Sequence, residues 1–242
     1  MASESTTGPY SLIPLPEDLK ESKNLPATIR QLAPTPSFLF LKVSSLDMSM
    51  IHNVFIRALN SIHLNAPKVT PLDMEEETMF PVLEKKIAEI SHNVEQHKAF
   101  HDGMDAFKQY ILDVKAKKET YDGEKAAELC KEFAKPMVQH LHDEIPTISP
   151  ENLSRFDDEP ETLQNMYRKV EEHIKSQPGK LTVFPFVMTH HDFKKAPNWP
   201  PVPAPIRWFA RNIAPHWNSS YWKFSPYTSR GESQTYNPAI MA

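Results

Sequence analysis

Apolar residues recur at spacings of three and four between residues 44 and 148, the period of a helix that buries one face. Short polar stretches divide this pattern into four stripes. The four stripes predict four helices. Helix A runs from Ser44 or Ser45 to about Ala66-Pro67, and helix B from Leu72 through Ile87. Helix C starts with a capping box at Asn93 and Gln96, and helix D follows the turn Tyr121-Asp122-Gly123. Because long helices with short connections favour antiparallel neighbours, the prediction is an all-α fold, an antiparallel up-down four-helix bundle.

The segments on either side of residues 44–148 lack this regularity. Residues 1–43 are predicted to be an irregular N-terminal segment, because prolines at positions 14, 16, 26, 34 and 36 interrupt any regular element. Residues 149–242 contain a predicted connector helix, about Glu161 to Gln177, and then a tail rich in proline and tryptophan with little periodicity. We expect this tail to pack on the bundle, although polyproline stretches also serve as protein ligands.

Each apolar stripe of the bundle is interrupted by ionisable residues. They are His52 on helix A, Glu76 on helix B, His97 and His101 on helix C, and His140 and Glu144 on helix D. A buried carboxylate or imidazole is costly unless it is paired or bound to a metal. Spacings of four put both members of a pair on one helix face. His101 lies 17 residues before Lys118 and His140 lies 17 residues after Gly123, so the pairs on helices C and D should meet at one level.

Each of these signals has an alternative interpretation when it is taken alone. A single histidine in an apolar stripe is more often a hydrogen-bonded core residue than a ligand. The pair His97 and His101 lacks the glutamate of the zinc-protease motif HExxH. Six such residues on four helices in matched register favour a metal site, and mixed histidine and carboxylate ligands suit non-haem iron or manganese.

Four stretches of this chain resemble the hemerythrin/HHE cation-binding family, and most closely its fungal hemerythrin-like proteins. They are IHNVFIRALNSI at 51–62, EEETMFPVLE at 75–84, NVEQHKAFH at 93–101 and HLHDEI at 140–145. The resemblance implies a di-iron site with one histidine from the first helix, a His-x-x-x-Glu pair from the second, His-x-x-x-His from the third, and a histidine and a carboxylate from the fourth. Carried over, the implied ligands are His52, Glu76, His97, His101, His140 and Glu144.

One position departs from the family pattern. Leu72 stands where the second-helix histidine is expected, and no histidine occurs between His63 and His92. Helix B is also about two turns shorter than its partners require. We interpret this as an internal deletion, from a splice variant or a gene-model error. The second iron would then keep only His52 and Glu76, so the implied cofactor is one or two non-haem irons in an incomplete di-iron site.

Composition limits the partners of this chain. Of its 242 residues 24% are charged, with a formal net charge of −4 and no basic stripe, which argues against nucleic acid. No apolar run approaches the roughly 20 residues that span a bilayer, so no membrane partner is predicted. Cys130 is the single cysteine and a predicted core residue, which favours a reducing, cytoplasmic location. The adjacent His190 and His191 are expected to face solvent.

The function implied by the resemblance is binding of dioxygen, nitric oxide or iron itself, with a small gaseous ligand such as dioxygen as the partner. Two alternatives remain open. One is an iron-dependent oxygenase or oxidoreductase in fungal metabolism, and the other is a metal-free pseudo-hemerythrin that acts as an interaction module. No serine nucleophile motif or phosphate-binding glycine loop is present, and five glycines leave little room for one. Nothing in the sequence sets the oligomeric state.

Overall fold

A computed structural model describes residues 10–15, 46, 48–59, 79–176, 180–197, 199–200, 202–217 and 219–234. Its regular elements within these ranges are helices, and its one isolated antiparallel bridge joins Tyr227 to Ser233. The α-helices are α1 (48–59), α2 (Phe80–Leu83), α3 (Ile90–Lys115), α4 (Gly123–Thr147), α5 (Pro150–Leu153), α6 (Pro160–Ser176), α7 (Lys180–His190) and α8 (Ala204–Asn212). No helix in these ranges is long and apolar enough to cross a membrane.

The long helices α3 and α4 form an antiparallel hairpin, as predicted for helices C and D. The Phe107 and Phe133 ring centroids lie 5.6 Å apart across it. A Cβ atom added to Gly103 would come within 3.0 Å of the Phe133 Cβ, so glycine allows the two backbones to approach closely here. At the closed end the Tyr110 hydroxyl accepts from the Asp122 backbone amide at 2.7 Å. The hairpin therefore fixes the register on which the candidate site depends.

The sequence predicted the start of α4 correctly but not the start of α3. Asp122 caps α4 through its side chain, which accepts from the amides of Glu124 and Lys125, as the turn signal indicated. The capping box at the start of helix C is wrong, because α3 begins at Ile90. Asn93 is buried inside the helix and donates to Thr147 Oγ1 on α4 at 2.9 Å. Its amide nitrogen thus bonds across the hairpin and does not cap the helix.

Helices A and B are described only in part. Residues 48–59 are helical, in agreement with helix A, whereas residues 60–78 lie outside the described residues. That gap contains Glu76, Leu72 and the proposed deletion. Helix B does not continue to Ile87, because α2 is a single turn that ends at Leu83 and residues 84–86 form a turn. Pro81 starts this turn of helix, where its missing amide proton costs nothing.

The N-terminal segment is fastened to the bundle at residues 10–15. Asn53 of α1 holds the Ile13 backbone at both ends, accepting from its amide at 2.7 Å and donating to its carbonyl at 2.9 Å. His142 of α4 donates to the Ser11 carbonyl at 2.9 Å. Residues 10–15 are non-helical, as expected, and they tie α1 to α4 beside the candidate site.

The C-terminal part contains more helix than its composition suggested. The connector helix is confirmed as α6, but α7 and α8 were not predicted. Prolines were interpreted as breakers, yet Pro205 lies in the first turn of α8, where proline is well tolerated. Cys130 is buried in the core, as predicted, and burial raises the pKa of its thiol to about 12.

The expectation that His190 and His191 face solvent is wrong, since both are buried together with Asp192. Arg57 of α1 is the reason. Its Nη1 donates to the His190 carbonyl at 3.3 Å and its Nη2 lies 3.8 Å from Asp192 Oδ2. The His191 Nε2 donates to the Ala196 carbonyl at 2.6 Å. A guanidinium from the first helix thus anchors the C-terminal part.

We expect the protein to lose stability as the pH falls from about 6.5 to about 4. Burial lowers the pKa of both His190 and His191 from 6.5 to about 4. Between these two pH values the unfolded chain therefore binds more protons than the folded protein. The neutral imidazoles contribute their full stabilisation of the folded state only above about pH 6.5. The two histidines together account for a few kcal/mol. Thermal unfolding of the apoprotein across this pH range measures the effect.

The matched variant for this prediction is the double substitution His190→Gln, His191→Gln. Each glutamine amide can donate to the carbonyl that now accepts from the imidazole, but it does not titrate. The pH slope should therefore become shallower, and His140 supplies the part that remains. Substituting the exposed His216 by glutamine should leave the slope unchanged. An unchanged slope in the double variant contradicts the assignment.

Candidate metal centre

Four of the predicted ligands come together in the interior of the protein. They are His52 on α1, His97 on α3, and His140 and Glu144 on α4. Each side chain is at most 1% exposed to solvent. Phe80 of α2 packs its ring 5.0 Å from His97, and Phe100 lies 5.6 Å from His140. The ionisable groups therefore face one another in surroundings that are otherwise apolar.

The distances link these four residues into one chain of contacts. His97 Nε2 lies 2.8 Å from His140 Nε2, and His52 Nε2 lies 3.1 Å from Glu144 Oε2. The same Glu144 oxygen is 3.8 Å from His140 Nε2. The carboxylate thus lies between the α1 histidine and the histidine pair of the hairpin, at the position of a bridging group.

His52 presents its Nε2 to this carboxylate because its other ring nitrogen is already used. The His52 Nδ1–H donates to the Leu141 carbonyl at 2.8 Å. If Nε2 carried only its lone pair, it would repel the Glu144 oxygen 3.1 Å away. A proton or a metal cation between the two atoms makes the contact favourable. The geometry therefore calls for positive charge at this point.

A hydrogen-bond chain fixes the tautomer of His140. Asp143 can only accept when it is ionised, so the Gln96 amide nitrogen, 2.8 Å away, donates to it. The Gln96 carbonyl oxygen then faces His140 Nδ1 at 3.1 Å and accepts its proton. His140 Nε2 therefore carries the lone pair and points into the cluster. Gln139 also donates to Asp143, at 2.8 Å.

The protonation states follow from these contacts. Burial raises the pKa of Glu144, but the hydrogen bond and charge of His52, together with His140 and His97, outweigh it, so the pKa is lowered overall. We therefore take Glu144 as an ionised carboxylate. Burial lowers the pKa of His140 to about 4, with Glu144 partly opposing it, which leaves its imidazole neutral near pH 7. A neutral imidazole and a carboxylate are the forms that bind metals.

The donor set fits a transition-metal cation, although the described residues do not form a complete ligand shell. No three of their His, Cys, Asp and Glu side chains surround one point. The contacts instead form two pairs, with separations of 2.8 and 3.1 Å. Two ligands about 2.1 Å from one ion and at right angles to each other lie about 3.0 Å apart. Each pair thus has the spacing of two neighbouring ligands of one ion.

The two remaining predicted ligands have different outcomes. His101 is half-buried at the edge of the cluster, with its ring stacked on Phe100 and its centroid 6.5 Å from that of His97. The prediction that ligands of helices C and D meet at one level was made from His101 and His140. The two helices do bring ligands together, but the residue that contacts His140 is His97, one helical turn before His101. Glu76 lies outside the described residues.

Two residues of the site were missed from sequence. Gln96 was interpreted as part of a helix cap, and Asp143 was not considered. Gln96 precedes His97 and Asp143 precedes Glu144, so both occupy positions beside ligands. Metal-binding histidines usually donate their second ring proton to such a partner. A search for polar residues next to the ligands would have found them.

Comparisons with known proteins agree with this geometry. The family model described as the hemerythrin HHE cation binding domain matches residues 72–151, a range that contains the predicted ligands other than His52. A dimeric xanthone biosynthesis cluster protein of Cryptosporiopsis sp. (strain 8999) is 30% identical over 219 residues, covering 76% of this chain and 79% of its own. No solved structure matches. The chain belongs to the hemerythrin HHE cation-binding family.

Proposed function

We propose that this chain is a hemerythrin-like non-haem iron-binding protein with an incomplete di-iron site inside an antiparallel four-helix bundle. Its ligands would be His52, Glu76, His97, His101, His140 and Glu144. The observation that carries the proposal is the buried contact of Glu144 with His52 at 3.1 Å and with His140 at 3.8 Å. A carboxylate between two imidazoles, without exposure to solvent, is favourable only when a proton or a metal cation is shared between them.

Each residue would have a distinct task at this site. Glu144 supplies the negative charge and joins the two sides of the centre. His140, held by Gln96, directs Nε2 inward, while Leu141 orients His52 through its carbonyl. Phe80 and Phe100 keep water from the imidazoles. Iron with an incomplete ligand set supplies reversible binding of small gases such as dioxygen or nitric oxide and, with a reductant, oxidation chemistry.

A second candidate function is an iron-dependent oxygenase or oxidoreductase in fungal metabolism. The observation that favours it is the name of the relative from Cryptosporiopsis sp., a biosynthesis cluster protein. Consumption of a reductant in air by the iron-loaded protein would favour this enzyme over a carrier. Both candidate functions involve only small-molecule partners. We retain the predicted cytoplasmic location.

Exposure of the reduced, iron-loaded protein to air tests the proposal. We expect a visible absorption band to appear and the melting temperature to fall when a chelator removes the iron. Ligands that bind only the native state stabilise it by about 2.7 kcal/mol at a hundredfold excess over Kd. A colourless protein with the same melting temperature before and after chelation would instead be the metal-free pseudo-hemerythrin.

A further inference from the structure

The helix α8 exposes its apolar side chains to solvent. Trp208 is 61% exposed, and Ile206, Phe209 and Ile213 are exposed as well. Ile206, Phe209 and Ile213 follow spacings of three and four, so they form one face of the helix. In a globular protein such a face normally packs against the core. In this protein the apolar face of α8 points away from the core.

The polar residues of α8 are turned toward the protein instead. Arg207 and Arg211 are both half-buried. Arg207 donates to the Val202 carbonyl at 3.3 Å, and the Arg211 guanidinium lies 4.4 Å from the centre of the Phe193 ring. Because these contacts anchor the helix through its arginines, its apolar face remains outward.

The exposed apolar area extends beyond this helix. Trp217 is 58% exposed and Tyr221 is also exposed, both in the turns that follow α8. Leu181 and Val183 are exposed on α7, which packs against α8. Concentrations of exposed aromatic and aliphatic side chains mark interaction surfaces. We define the α8 surface by its side chains Ile206, Trp208, Phe209, Ile213, Trp217 and Tyr221.

The charged residues of the segment that carries this surface are basic. Six of the chain's 27 lysines and arginines, and none of its 31 acidic residues, lie between residues 193 and 231. Among them Lys194, Lys223 and Arg230 are exposed. The chain as a whole is acidic, with a formal net charge of −4. A positive, aromatic surface on an acidic protein will turn toward an anionic partner.

We propose that the α8 surface binds an anionic phospholipid bilayer. Tryptophan and tyrosine favour the headgroup level of a membrane, and an amphipathic helix lies in that plane with its apolar side buried. The predicted absence of a membrane partner rested on the lack of a spanning segment, which a helix lying on the surface does not need. The acidic remainder of the chain would point away from the lipid.

A second copy of this chain is a poorer occupant of the same surface. In a two-fold symmetric dimer the surface would contact itself and bring the basic residues together. A contact between the α8 surface and the acidic bundle of another copy would leave both kinds of surface free at the ends of the assembly. Copies would then keep adding and form filaments. Anionic lipid satisfies both the charge and the aromatic side chains without these consequences.

Flotation of the full chain with vesicles tests the proposal. We expect binding to phosphatidylcholine vesicles that contain phosphatidylserine to be at least about tenfold stronger than binding to phosphatidylcholine alone. The difference should shrink at high salt, because screening weakens the attraction of exposed cations. The double variant Trp208→Ala, Trp217→Ala should lose most of the binding to both kinds of vesicle. Lys194→Glu with Lys223→Glu should lose the preference for phosphatidylserine.

Matched controls separate this surface from general stickiness or misfolding. Tyr121→Ala removes an exposed aromatic residue in the α3–α4 turn, and Lys131→Glu reverses an exposed charge on α4; both should bind as the parent does. Melting temperatures check that each variant is folded. Absence of binding to either vesicle overturns the proposal, as does binding that the tryptophan variant retains. Self-association in sedimentation velocity that the same variant abolishes would assign the surface to a second copy and also overturn it.

Discussion

The Glu144→Gln variant is expected to lose tight iron binding, with a fall in affinity of at least about a hundredfold. Glu144 is the one anionic group among the four clustered residues, it is 0% exposed, and its Oε2 contacts imidazoles from two helices. An amide has the same shape but no charge with which to neutralise a divalent cation. Competition against a chelator of known affinity, under anaerobic conditions with ferrous iron, measures the loss.

The same substitution should leave the apoprotein folded. The new amide can donate to His52 Nε2, so the contact at 3.1 Å keeps a hydrogen bond without a charge. The melting temperature of the apoprotein should therefore change little, while the rise that iron produces disappears. Glu128→Gln, on the exposed side of α4, is the matched control and should bind iron as the parent does. Retention of iron affinity within threefold by Glu144→Gln contradicts the bridging role.

The parts of the site that sequence predicted are those fixed by spacing within helices. His140 and Glu144 share a face because they are four residues apart, and the short turn at residues 116–122 sets which residues of α3 and α4 meet. The contact between His97 and His140 followed from these two facts. One helical turn of uncertainty in the register was enough to exchange His101 for His97 as the partner.

The parts that sequence did not predict depend on contacts between distant segments. His190 is buried because Arg57, 133 positions earlier, donates to its carbonyl. No local pattern carries that information, and the prolines around it suggested an exposed loop. For α8 the apolar and polar faces are visible in the sequence, but their orientation is not. Arginine stems and guanidinium planes pack well on aromatic rings, so the polar face could become the inner one.

The iron-loaded protein is expected to retain about one iron per chain rather than two. His97, His140 and Glu144 lie on the α3–α4 hairpin, whose helices hold one another in register. The other half of the proposed centre would have His52 and Glu76, with Leu72 in place of the expected histidine. We interpret the missing turns of helix B as an internal deletion. Sequencing the transcript across residues 64–76 checks that interpretation independently.

Iron analysis of variants after desalting separates the two halves of the centre. His97→Ala with His140→Ala should lower the retained iron from about one per chain to almost none, because removing two ligands at once abolishes the hairpin half. His52→Ala should keep about one, since the iron itself then neutralises the Glu144 carboxylate. His92→Ala, an exposed histidine on α3, is the control. Two irons retained by the parent would show that the missing turns of helix B are not needed. Complete loss of iron in His52→Ala would show that the hairpin half does not hold iron alone.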